Sequence, residues 1–193
     1  MSLKSKKMTM IRSLSVAVLL AFGTIIAHAQ GEENSLKGVP PNERMVFGGG
    51  MGLGFGSDQD YVLLSPSIGY MLTRKLMAGV NVTYQYNNYK FYRPSIKTHS
   101  YGGGPFARFM IFRGIFIHTE YEYLSYEFFE SRKGYSSFMA GGGFIQPLGS
   151  KASFYFLALY NFLYETPLPG EFTPYNSPLV IRAGVSLGQF GLF

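Results

Sequence analysis

Three ionisable side chains, His118, Glu120 and Glu122, recur at every second residue of one segment, so in a β-strand all three share a face. An imidazole beside two carboxylates is the donor set of a metal site or a proton relay. Met by arginines, the same set forms a network of ion pairs, and two arginines are placed to meet it. Pairing across the tight turn at Arg113 sets Arg108 opposite His118 with Glu120 one step along the face, and Arg182 lies on the inward face of the last segment. Charges withdrawn from bulk water must be paired. The expectation is therefore a polar lumen network of Arg108, His118, Glu120, Glu122 and Arg182, with no metal, no cofactor and no catalytic set.

Other chemistry-bearing patterns are weaker. Gly184-Val185-Ser186-Leu187-Gly188 has the spacing of a nucleophile elbow, but that motif needs a strand, a turn and a helix, and no helix can follow here. The glycines from Gly48 to Gly56 carry no phosphate-binding spacing. Lys90, Arg93 and Lys97 stand among Tyr89, Phe91 and Tyr92, a combination suited to lipopolysaccharide phosphates or an acidic partner, or to a solvated loop capped by aromatic rings. The Pro-rich segment 167–178 reads as a second contact surface or a stiff loop. The absence of cysteine excludes disulfides, a thiol nucleophile and a lipid-modified N-terminal cysteine.

The elements that must position these residues are strands. From Met45 to Phe55 the residues Met45, Phe47, Met51, Leu53 and Phe55 fall on one side, with Gly49 the single gap, and Val46, Gly48, Gly50, Gly52 and Gly54 on the other. Large apolar groups thus face one environment and almost bare backbone the other, which is inside-out for a soluble protein. Eight such stretches are expected, at about 44–56, 61–72, 76–87, 99–111, 115–126, 135–145, 152–164 and 179–193. Short connections at 73–75, 112–114 and 146–151 alternate with long ones at 88–98, 127–134 and 165–178, and 57–60 makes an unusually short first outer loop. Bacterial outer-membrane barrels have short periplasmic turns and longer outer loops, which places both chain ends in the periplasm. The fold class expected is all-β, an eight-stranded antiparallel transmembrane β-barrel over residues 44–193.

Ahead of it, residues 1–29 read as a cleaved signal peptide: Lys4, Lys6, Lys7 and Arg12, an apolar run from Leu14 to Ile26, then Ala27-His28-Ala29. Residues 30–43, with Pro40-Pro41, read as a flexible periplasmic lead-in. Without the signal, 13 basic residues face 11 acidic ones, a formal charge of +2, so the basic character of the whole chain carries no nucleic-acid inference.

Leu63 to Tyr70, Met77-Ala78-Gly79-Val80, Gly104 to Phe109, Phe138 to Phe144 and the terminal Phe193 together resemble the small outer-membrane β-barrel domain family, akin in shape to OmpX and OmpA barrels. The resemblance implies residence in the outer membrane of a Gram-negative-type cell, in contact with its lipids and lipopolysaccharide. It also implies that Phe193 serves as a signal to the barrel-assembly machinery during biogenesis. With Phe193 facing outward, however, Gln189 and Gly191 would face lipid and Phe190 the lumen, so a bulge or an early end is expected near Gly188. The function expected is structural or interaction-based, as an envelope component, a display of surface loops or a subunit beside other outer-membrane proteins. A narrow pore and a soluble lipocalin-like carrier are the alternatives, the latter requiring the opposite facing.

Overall fold

The computed structural model describes residues 35–57, 59–90, 95–128, 131–167, 173–175 and 177–190. Eight strands, β1 (Met45–Phe55), β2 (Gln59–Met71), β3 (Leu76–Tyr89), β4 (Ile96–Phe112), β5 (Ile115–Phe128), β6 (Ser131–Pro147), β7 (Ala152–Asn161) and β8 (Leu179–Leu187), follow a short 3-10 turn, Pro41–Arg44. Each strand pairs antiparallel with the next, and β8 returns to β1, so the sheet is a closed barrel. Closure removes the unpaired edges that an open sheet leaves. The closing seam is short, joining Phe47–Met51 to Ala183–Leu187.

Alternation sets which side chains enter. On β3, Asn81, Thr83, Gln85 and Asn87 are buried while Val80, Val82 and Tyr84 are exposed. Met51, Leu53, Ile68, Ile117, Phe156, Ile181 and Val185 continue the apolar outer face on the other strands. The gap at Gly49 has a steric cause. Gly49 pairs with Pro66, and a Cβ there would stand 3.0 Å from the proline Cα.

Strands run further than the apolar pattern at the end that carries the 162–178 connection. β4 and β6 are 17 residues each, so the connections expected at 88–98 and 127–134 shrink to 90–95 and 129–130. Glu127 pairs with Arg132 and Tyr126 with Lys133 beyond the apolar band, because backbone hydrogen bonding does not require apolar side chains. At the opposite end β8 stops at Leu187, short of the expected 193. Gly188 has φ +140°, its N–H donates to the Lys151 carbonyl at 2.8 Å, and Phe190 is fully buried. This early end resolves the poor facing of the last segment; Phe193 lies outside the described residues, as does the segment 1–29. Within the lead-in, Leu36 is buried in the core, Arg44 donates to the carbonyls of Leu36 and Val39, and Arg74 Nε to that of Ser35. Leu36 and Val39 of the lead-in thus pack on the core, while Lys37, Gly38 and residues 40–43 are exposed.

The interior divides in two. Met71, Met77, Phe106, Met110, Phe116, Ile145, Phe190 and Leu36 fill the end with the short turns, whereas Gln59, Gln85, Asn87, Thr98, Ser100 and Asn161 lie buried toward the other.

Candidate functional site

The charged side chains meet near mid-barrel. β5 supplies His118, Glu120 and Glu122, all buried on its inward face, while Ile117, Tyr121 and Tyr123 are exposed. The register pairs Arg108 on β4 with His118 through a shift between Met110 and Phe112, because Phe112 pairs with Ile115 across the turn, and Gly114 in that turn takes the left-handed φ of +78°. Arg182 enters from β8. It lies beside Gly50 and Gly52 of β1, where an added Cβ would come within 3.8 Å of its Cβ and Cγ respectively. The bare backbone of β1 therefore makes room for the neighbouring strand's arginine.

Glu120 is the hub. Its Oε1 accepts from Arg182 Nη1 at 2.7 Å, and its Oε2 accepts from His118 Nε2 at 2.9 Å and Asn81 Nδ2 at 3.3 Å. Arg108 Nε donates to His118 Nδ1 at 3.0 Å. Nδ1 must then be the unprotonated nitrogen, so the ring is the neutral tautomer whose Nε2–H points at Glu120. Glu122 Oε1 accepts from Thr83 Oγ1 at 2.6 Å and lies 3.6 Å from Arg182 Nη2, while its Oε2 accepts from the Tyr175 hydroxyl at 2.5 Å. Tyr175 in turn accepts from Arg182 Nη2 at 3.1 Å. Burial, then the adjoining Glu122 carboxylate, holds the Tyr175 phenol well above its usual range, which keeps it a donor.

Arg108 is balanced differently. Its guanidinium carbon stands 4.3 Å from the ring centre of Tyr155, 5.2 Å from Phe106 and 5.4 Å from Phe116, close enough for cation–π attraction. Two arginines and two glutamates around a neutral imidazole leave the network without net charge, and each charge is met by a partner of opposite sign or by π faces. A cavity of about 10 Å³ beside it, lined by Ser65, Ser67, Asn81 and Arg182, is on the scale of one water. Among the described residues no group of three or more His, Asp or Glu is placed to hold a metal ion. Ser186, the serine of the elbow-like spacing, is buried on the inward face of β8 opposite Ser153, with no helix after it among the described residues.

All five expected network residues come together. The alternation on β3 already put Asn81 and Thr83 on the inward face; what it could not reveal was their reach to Glu120 and Glu122. Tyr175 had no sequence signal, since its connection has no period.

The basic loop group separates. Lys90 Nζ lies 2.8 Å from Asp60 Oδ1 and also donates to the Gly56 carbonyl, whereas Lys97 stands exposed on β4. Phe91, Tyr92 and Arg93 lie outside the described residues. Arg132, not singled out from the sequence, lies 4.1 Å over the Tyr101 ring and donates to the His99 carbonyl at 3.1 Å.

No protein-family model matches the chain, and no curated protein matches its sequence.

Proposed function

We propose that this chain is an integral outer-membrane β-barrel of the small OmpX- and OmpA-like kind, with the short turns and both chain ends on the periplasmic side. Its role is structural or interaction-based and is carried by its outer surface and loops rather than by catalysis. The observation behind this reading is the inverted facing: every strand presents apolar side chains such as Val82, Ile117 and Phe156 to the outside while Arg108, Glu120, Glu122 and Arg182 are buried within. Soluble proteins rarely expose a contiguous apolar surface of that extent, and a lipid-facing barrel requires one. The same facing argues against a soluble lipocalin-like carrier. The neutral, filled lumen favours a closed barrel over a narrow pore, since eight strands enclose little more than their own side chains.

Arginine at Val82 tests the membrane reading. On a lipid-facing site near the bilayer midplane it costs about 2–4 kcal/mol, and on a water-facing strand almost nothing. Val82→Arg is expected to lower the yield of protein that resists alkaline carbonate and is released by detergent. Wild-type protein released by carbonate alone would overturn the assignment. In planar bilayers the wild-type barrel is expected to be electrically silent, and stable conductance would favour the pore.

A further inference from the structure

The connection between β7 and β8 does not stay outside the barrel. Its residues Thr173–Tyr175 lie in the mouth at the end away from the short turns, and Tyr175 is fully buried. Side chains hold them there: Tyr89 donates its hydroxyl to the Thr173 carbonyl at 2.8 Å, Gln85 Nε2 donates to the Pro174 carbonyl, and Tyr175 bridges Glu122 and Arg182. Among the described residues no backbone-to-backbone hydrogen bond ties this strap to a strand. A segment held by side chains alone can leave without breaking the sheet.

The wall behind the strap is built for more than the strap uses. Gln85, Asn87 and Ser100 are each wholly buried, yet Gln85 Oε1, Asn87 Nδ2 and Ser100 Oγ have no hydrogen-bond partner among the described residues. Buried polar atoms without partners carry a desolvation penalty that a bound molecule relieves. Below them the Glu120–Arg182 network and the packed Met77, Phe106, Met110, Phe116 and Phe190 close the barrel. Lifting the strap therefore opens a cup with a floor, not a channel.

We propose that Thr173–Tyr175 acts as an internal ligand of this cup, and that the cup takes a small, neutral, polyhydroxylated molecule of sugar size when the strap lifts. The proposal rests on the closed, packed barrel described above. Tyr175 shows what the site recognises: one hydroxyl that donates to Glu122 and accepts from Arg182, with an acceptor in reach of Gln85 Nε2. Arg108 and Arg182 together formally balance Glu120 and Glu122, so no net charge is demanded of the occupant. The spare acceptor of Gln85, the spare donor of Asn87 and the Ser100 hydroxyl suit further hydroxyl groups, which donate and accept alike.

The cysteine-free chain makes the test direct. A reporter Ser100→Cys in the purified, folded protein is expected to react slowly with a polar maleimide. Tyr175→Gly, which removes two charge-assisted bonds, should speed that reaction by at least about tenfold. A second reporter, Ser186→Cys, lies beyond the floor and should remain unreactive in both backgrounds. Millimolar sucrose should slow labelling at Ser100→Cys in the Tyr175→Gly protein, with free glutathione labelled in the same solution as the control. Unchanged labelling after strap loosening, or no protection by sucrose, overturns the proposal. If Tyr175→Gly does not fold, Tyr175→Phe, which keeps the ring and loses the hydroxyl, gives the same comparison with the same overturning result. Conductance through Tyr175→Gly would overturn the floor and favour a pore, whereas failure of the membrane assignment leaves the labelling result untouched.

Discussion

Arg182 and Glu120 belong to strands that are not neighbours, β8 and β5, yet Arg182 Nη1 lies 2.7 Å from Glu120 Oε1 across the lumen. The pair ties opposite walls of the barrel. Removing one member leaves the other buried without its counter-charge, which costs about 3–5 kcal/mol, while replacing both with apolar groups of similar volume is far less damaging. Arg182→Met and Glu120→Met are each expected to destabilise the barrel by that amount, and the double variant by less than the sum of the two, since Glu122 loses its cation as well. Urea unfolding in micelles, read by the heat-modifiable shift in gel mobility, measures all three. Additive losses would mean that the two side chains act separately.

Among the described residues Arg108 has one polar partner and three aromatic ones. Lysine keeps the charge but has no planar group to lie against Tyr155, Phe106 and Phe116, nor a fixed N–H directed at His118 Nδ1. Arg108→Lys should cost about 1–3 kcal/mol. His118→Gln offers both an acceptor and a donor at the same site and should cost less than His118→Leu, which offers neither. Unfolding midpoints of the three variants, compared at equal slope, settle the order.

Gly54 lies under the Tyr61 ring of its paired residue, where an added Cβ would collide with the ring edge. Gly54→Ala is therefore expected to destabilise by about 1–3 kcal/mol through overpacking. Tyr61→Leu removes the obstruction, so the double variant should lose less than the sum of the single changes. A double-mutant cycle by urea unfolding gives the coupling directly.

Much of this was legible before any coordinates. Placing His118, Glu120 and Glu122 on one face needed only a period of two, whereas the pairing of Arg108 with His118, expected from a three-residue turn at 112–114, is reached through a register shift between Met110 and Phe112. Other features were hidden for definite reasons. The ends of β4 and β6 carry polar and charged residues whose pairing leaves no apolar trace, so the strands looked shorter than they are. The last segment looked ill-patterned because Phe190 belongs to the core at the short-turn end of the interior and not to a strand.

Alternation dictated which side of the sheet each strand residue occupies, because successive side chains point to opposite faces wherever the backbone is extended. The antiparallel order follows from the turns and from the need to leave no edge unpaired. Which charges meet is another matter. Arg182 reaches Glu120 and Tyr175 reaches Glu122 across strands far apart in sequence, and only closure of the barrel brings them within hydrogen-bond distance. The inward path of Thr173–Tyr175 is likewise a tertiary outcome: a connection without a period goes where buried donors and acceptors can receive it, and those groups are assembled only when the walls have closed.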